Sequence, residues 1–264
     1  MKRMTVKDLH EIKKQRSLIQ LYADTPEQAA ACEAAGIEMV MTSEGNDVAA
    51  FRKAAPNVFL SYGLPYRTHS NISDFMREAY DVINAGADAV YSPQGFSYVK
   101  ALADEFIPVW GHVGFVPHRK TWYGGFRAQA KTGIDALKIY ELAMRYQDAG
   151  AVGIEVEIIP AKIAAELTKR LDILTMGMGA GTGCDGQYLF ATDILGTNTG
   201  HIPRHAKVYR DHKSEYERLY QDSIVAFKEF RADVESGAYP EDGHMLNIKD
   251  DEFQIFMDGL SDKG

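Results

Sequence analysis

The stretch Ala149-Gly150-Ala151-Val152-Gly153-Ile154-Glu155-Val156-Glu157-Ile158-Ile159-Pro160 sets the reading of the whole chain. An amphipathic segment ends at Gly150, and a short apolar run carrying two acids follows it. Glycine adopts the left-handed conformation that closes a helix, so 133–149 reads as a helix and 152–157 as a strand. The same punctuation recurs at Ala35-Gly36 and at Ala85-Gly86, each before a short apolar run. Working outward, strands fall near 18–22, 37–42, 58–62, 88–91, 107–111, 152–157, 173–176 and 187–190. Helical patterns at 26–35, 71–85, 95–104, 133–149 and 160–169 separate most of them. The strand runs are nearly continuous in apolar residues, as parallel strands buried on both faces require. Eight such strands alternating with helices predict a (β/α)8 barrel in preference to an open sheet.

The remaining chain fits that plan. A long helix is expected over 204–236, followed by a turn at Pro240-Glu241-Asp242-Gly243 and a short acidic tail. No Pro/Ser-rich linker divides the 264 residues, which predicts one domain over 1–264. With 29 Lys and Arg against 37 Asp and Glu the net charge is −8, which argues against a nucleic-acid partner. At 45% hydrophobic and 25% charged the composition is that of a globular chain able to bury a core. No run approaches the roughly 18 apolar residues of a membrane span. The basic start lacks an apolar core of the kind a secretory signal carries. Cys32 and Cys184 alone make no disulfide framework. A cytoplasmic enzyme without membrane or nucleic-acid partners is the expectation.

In a barrel, chemistry belongs to the loops after the strands. Glu155 and Glu157 lie at i and i+2 of one strand and share a face. A carboxylate there is costly to bury unless paired, hydrogen-bonded or protonated. A desolvated Glu157 would suit a general base beside a carbonyl, whereas Glu155 reads as one half of a structural ion pair. His112, between Gly111 and Gly114, reads either as a ligand-binding or proton-moving group or as a hydrogen-bonded core histidine. Glu44, followed by Gly45, can ligate a hard cation or bind a polar substrate, or else face a helix dipole. The glycines of 177–186 can cradle an anion or form a tight turn, but match neither a Walker loop nor a dinucleotide fingerprint. His201 and His205 flank Pro203 without a third ligand and read as loop residues. Trp122-Tyr123-Gly124-Gly125-Phe126 reads equally as an aromatic lid or as packing. Tyr209, Tyr216 and Tyr220 read as core or subunit contacts on one helix face.

The segments Ile107-Pro-Val-Trp-Gly-His112-Val-Gly-Phe-Val-Pro117, Tyr123-Gly-Gly-Phe-Arg-Ala-Gln-Ala-Lys-Thr132, Glu157-Ile-Ile-Pro160 and Met176-Gly-Met-Gly-Ala-Gly-Thr-Gly-Cys-Asp-Gly-Gln187 closely resemble the ketopantoate hydroxymethyltransferase family. Weaker likeness extends to Ala34-Ala-Gly36, Gly86-Ala-Asp-Ala89 and Pro203-Arg-His-Ala-Lys207. The resemblance implies a (β/α)8 barrel of the phosphoenolpyruvate mutase/isocitrate lyase superfamily, a homo-oligomer, and a role in pantothenate biosynthesis. It implies hydroxymethyl transfer to a branched 2-oxoacid with Mg2+ and 5,10-methylenetetrahydrofolate. Glu157 would then be the base that removes the C3 proton, and His112 would bind the substrate oxygens. The family's first metal aspartate falls on Glu44, and its substrate-binding serine falls on Gly45. A substrate-contacting lysine falls on Tyr91, and the second and third acidic positions fall on Gly63 and Pro93. Glu155 stands where the resemblance gives an aliphatic residue. The metal half of the pocket is thus rebuilt while the other half is kept. A carbon–carbon lyase acting without folate on a related 2-oxoacid is the alternative activity, and a ligand-binding barrel without catalysis the non-enzymatic one. Only the transferase would consume methylenetetrahydrofolate.

Overall fold

Inward-facing side chains alternate along each strand, and pairing register decides which of them meet. In the computed structural model, which describes residues 2–13, 15–66 and 68–261, eight strands close in chain order into a barrel, all parallel. Helix α1 (Val6–Ile12) precedes it. There follow β1 (Leu18–Tyr22), α2 (Pro26–Ala34), β2 (Met39–Ser43), α3 (Val48–Ala54), β3 (Phe59–Gly63), α4 (Ile72–Asn84), β4 (Ala89–Tyr91) and α5 (Phe96–Asp104). The second half comprises β5 (Val109–Gly114), α6 (Gly133–Asp148), β6 (Gly153–Glu157), α7 (Ala161–Arg170), β7 (Leu174–Met178), β8 (Gly186–Phe190) and α8 (Ala191–Leu195). The expected barrel is therefore present, with each strand within a few residues of its predicted place.

The local signals have identifiable causes. Thr25, Asp47, Asn71 and Thr132 each precede a helix, and each side chain accepts a hydrogen bond from a backbone N–H of the first turn. The Ala-Gly pairs close α2, α4 and α6. Beyond Gly36, Gly86 and Gly150, the N–H of Ile37, Ala87 and Ala151 returns to the carbonyl of Cys32, Val82 and Tyr146. That is the bond of a Schellman end, which directs the chain straight into the next strand.

Two layers of apolar side chains result. One lies between strands and helices and includes Phe51, Phe75, Val113, Tyr146 and Ile154. The other fills the barrel with Leu18, Met39, Phe59, Trp110, Leu174 and Met176, and Leu9 of α1 closes its lower end. Gly153 makes room for Trp110, since a Cβ there would stand 2.1 Å from Cζ3 of that indole.

The alternation of strand and helix fails once, between β7 and β8. Parallel neighbours usually need a long crossover. Here Gly186 pairs with Met176, the third residue of β7, so β8 starts high against its neighbour. The link must descend only two residues, about 7 Å. Residues 179–185 manage this by lying against α7: a Cβ on Gly181 or Gly183 would come within 2.5 Å of Ala161 or Ala165. The glycines of this run thus serve close packing against α7.

Residues 1–211 and 212–264 form two compact units. The second comprises α9 (His212–Ser236) and α10 (Asp250–Ser261). The long helix thus begins eight residues later than the predicted 204, and the acidic tail contains a helix. No helix among the described residues is long and apolar enough to cross a membrane.

A buried ion pair fastens the lower end of the barrel. Asp185 Oδ2 accepts bonds from Thr175 N and Thr175 Oγ1, each 2.9 Å long, and lies 3.2 Å from Lys13 Nζ. Lys13 also donates to the carbonyls of Leu171 and Ile173. Removing one partner strands a buried charge, so Asp185→Ala is expected to lower stability by about 3–5 kcal/mol in urea unfolding. A loss below about 1 kcal/mol would show that the pair does not anchor α1.

Candidate active site

At the upper end of the barrel the inward residues change from apolar to polar. Tyr22, Ser43, Gly63, Tyr91, His112, Glu155, Glu157, Met178, Tyr188 and Phe190 line a cavity of about 270 Å³, with Pro117 and His118 from the loop after β5. That volume lies near the lower end of the range for small-molecule sites. All of its lining belongs to the barrel unit.

The β5–β6 register assembles the centre. His112 pairs directly with Glu155, and Gly114 pairs with Glu157, so both acids face the imidazole. His112 Nε2 lies 3.1 Å from Glu157 Oε2, and Nδ1 lies 3.4 Å from Glu155 Oε2 and 3.0 Å from Tyr91 Oη. His112, Glu155 and Glu157 are 5%, 7% and 6% exposed. Although Nε2 is close to Glu157, it is out of line for a hydrogen bond and is buried without a partner.

Packing explains the glycines beside His112. A Cβ on Gly111 would stand 2.3 Å from Tyr146 of α6, and one on Gly114 would stand 2.1 Å from the Glu157 carbonyl. They bring helix and strand close to β5, and so fix where the imidazole sits. Immediately after Glu157, Ile158 takes φ +48°, a costly conformation for a β-branched residue. Its N–H bonds to Met178 O and its carbonyl accepts from Gln129 N, which hold the strained turn. Such strain is concentrated at functional sites.

Burial dominates the electrostatics. It pushes the Glu155 carboxyl up to about 7, against the pull of His112 and with the added repulsion of Glu157. Burial alone would favour a neutral His112, but the contact with Glu157 and the charges of both glutamates outweigh it and raise the imidazole above its ordinary value. Both shifts favour the protonated forms of the ring and of Glu155. Across the cavity, Tyr22 Oη and Ser43 Oγ are 2.6 Å apart. Burial raises the Tyr22 hydroxyl, as it does those of Tyr91 and Tyr188, so all three remain donors near neutrality.

Of the residues singled out in the sequence, Glu157, His112 and Tyr91 meet in this cavity. Glu155 joins them as a partner of the imidazole, an ion-pair role, but from inside the site. Glu44 and Gly45 stand on the exposed turn after β2 and do not line the cavity; Ser43 is the residue of that strand end which does. Sequence reasoning also missed Tyr22, Tyr188 and Phe190. Period-two alternation along β1 and β8 was the signal available for them. Trp122 is exposed, Phe126 packs on Phe115 at 4.2 Å between ring centres, and the 122–126 run lines no part of the cavity. His205 lies beneath Gly179.

A parallel barrel with a carboxylate–imidazole centre at the upper ends of its strands is the architecture of a (β/α)8 enzyme. The chain belongs to the ketopantoate hydroxymethyltransferase family, whose model matches residues 45–242. It is 35% identical over 212 residues to the 3-methyl-2-oxobutanoate hydroxymethyltransferase 1 of Methylibium petroleiphilum, covering 79% of this chain and 70% of that protein. A relative of the same name from Deinococcus radiodurans is 34% identical over 245 residues, covering 83% and 84%. The fold alone is shared with a phosphonopyruvate hydrolase structure, at a TM-score of 0.50 and 13% identity over 98% of both chains.

The Mg2+ that the family resemblance implies does not fit these side chains. Mg2+ takes hard oxygen ligands in octahedral array. Gly63 and Pro93 supply none, Glu44 points to solvent, and the two cavity acids bracket an imidazole. A side chain at Gly63 would meet Cβ of Ser43 at 3.1 Å, so Ser43 already occupies the approach from β3. Among the described residues no group of three or more His, Cys, Asp or Glu is arranged to hold a metal.

The raised carboxyl of Glu155 has a consequence for stability. Between about 4.5 and 7 the folded chain holds a proton that the unfolded chain releases, so stability falls as pH rises through that window. His112, also raised, carries the decline above 6.5. Urea midpoints measured across this range are expected to fall with pH for the native chain and to flatten in Glu155→Gln; an unchanged slope in the variant would remove Glu155 from the account.

Proposed function

We propose that the chain transfers a hydroxymethyl group to C3 of 3-methyl-2-oxobutanoate, with 5,10-methylenetetrahydrofolate as the one-carbon donor. The observation that carries this reading is the buried Glu157–His112 pair inside a family-matched barrel. The names of the matched relatives support the transferase over the folate-free lyase. Glu157 takes the C3 proton, and the electron pair left at C3 forms the C2–C3 double bond as negative charge moves to the 2-oxo oxygen. His112 Nε2, directed into the cavity and unpartnered, donates a hydrogen bond to that oxygen. The hydroxyls of Tyr22 and Ser43, bonded to each other, face the same space, and the one that accepts in that bond donates its proton to the substrate carboxylate. C3 then bonds to the methylene carbon, whose two C–N bonds to the folate break. Water supplies the hydroxyl of the product, and the proton taken from C3 and the second proton of water end on the two nitrogens as tetrahydrofolate leaves.

Tyr91 acts through His112 by bonding to Nδ1. Glu44 and Gly45 have no part in this arrangement of the substrate. The buried free thiols of Cys32 and Cys184 support a reducing, cytoplasmic setting. The exposed Tyr216, Tyr220 and Phe227 of α9 support a homo-oligomer.

In an assay following both product and tetrahydrofolate by NMR, the native chain is expected to consume methylenetetrahydrofolate in step with 3-methyl-2-oxobutanoate. Glu157→Gln should lower kcat by at least about 10²-fold with the fold intact. Turnover of the oxoacid without loss of the folate would contradict the transferase reading.

A further inference from the structure

The family's enolate chemistry is assigned to a metal, and this cavity lacks the ligands for one, which raises the question of what answers the developing charge. Among the described residues no lysine or arginine lines the cavity. The ionisable side chains among its described lining residues are Glu155, Glu157, His112 and His118, along with the tyrosines. With both acids ionised and the imidazole neutral, the site would repel an anionic 2-oxoacid. With the ring charged and one carboxyl protonated, its charge cancels and a cation remains at the centre.

The position of that cation is set from both sides. Nδ1 faces Tyr91 Oη at 3.0 Å and Glu155 Oε2 at 3.4 Å, which fixes the ring plane. Nε2 is the atom left buried without a hydrogen-bond partner, 3.1 Å from the carboxylate that would take the proton. An oxygen lodged against Nε2 therefore places the adjacent C–H next to Glu157. A divalent ion bound to either glutamate would have to displace or repel this ring.

Resting on the hydroxymethyltransferase reading, we propose that this chain forms the enolate without a divalent metal, the imidazolium of His112 serving as the electrophile. The C3–H bond breaks and its proton passes to Glu157; the electron pair becomes the C2–C3 double bond; the oxygen charge is held by Nε2–H, which is not transferred. Glu155 and Tyr91 are positioning residues for the ring. Such preorganised donors contribute through being fixed where charge develops, in a site shielded from water.

The test is exchange of the C3 proton of 3-methyl-2-oxobutanoate in D2O, followed by proton NMR with no folate present. The EDTA-treated protein is compared with and without millimolar Mg2+. Exchange is expected in EDTA at a rate within about twofold of that with Mg2+. His112→Gln should reduce it about 10²-fold, and neither Mg2+ nor Mn2+ should restore it. Glu155→Gln should retain exchange but move its pH profile. Exchange that appears only with Mg2+ would overturn the proposal and leave the transferase reading standing. No exchange under either condition would overturn both. The native-chain comparison holds even if a variant fails to fold.

Discussion

Two buried carboxylates, 3.4 and 3.1 Å from the two ring nitrogens of one buried imidazole, govern this structure. Glu155, His112 and Glu157 cannot all carry their ordinary charges in a water-poor barrel, because two adjacent carboxylates repel and each loses its hydration. The arrangement is tenable with the proton kept on the imidazole and with Glu155 favouring its neutral form. Their protonation is a property of the set rather than of any one member. A set of this kind is costly as scaffolding and useful as chemistry.

Much of the surrounding packing follows from bringing β5 and β6 into that relation. Gly111 admits Tyr146, Gly114 admits the Glu157 carbonyl, and Gly153 admits Trp110, so three missing side chains let one helix, one strand and one indole close in. Below, Trp110 and Leu174 exclude water from the barrel, while Asp185 and Lys13 tie α1 across its lower end. Above, the strained turn at Ile158 ends β6 just after the candidate base. Rigid strands thus hold the reacting groups, and the loop after β5 contributes Pro117 and His118 to the cavity wall.

The architecture was legible because its signals are local. Thr25, Asn71 and Thr132 mark helix starts, Gly36, Gly86 and Gly150 mark ends, and short apolar runs mark strands. Glu157 and His112 were legible because an acid or imidazole in an apolar strand needs a reason to be there. The β2 end was not, since moving one residue along a strand exchanges inside for outside. Ser43 and Glu44 differ by that one step, and the acid drew the attention that the serine's position warranted. The missing crossover between β7 and β8 depends on barrel stagger, which no local pattern encodes. The start of α9 at His212 was blurred by the polar, histidine-containing run 201–211, which resembles an exposed helix in composition.

The account turns on the charge of one imidazole. Nitrogen-15 NMR of histidine-labelled protein, with His112 assigned among the eight histidines by loss of its signal in His112→Gln, reads that charge directly. The His112 ring should titrate above the ordinary histidine value, with both nitrogens protonated at pH 6.5. A neutral His112 tautomer already present below pH 6.5 would contradict the central claim.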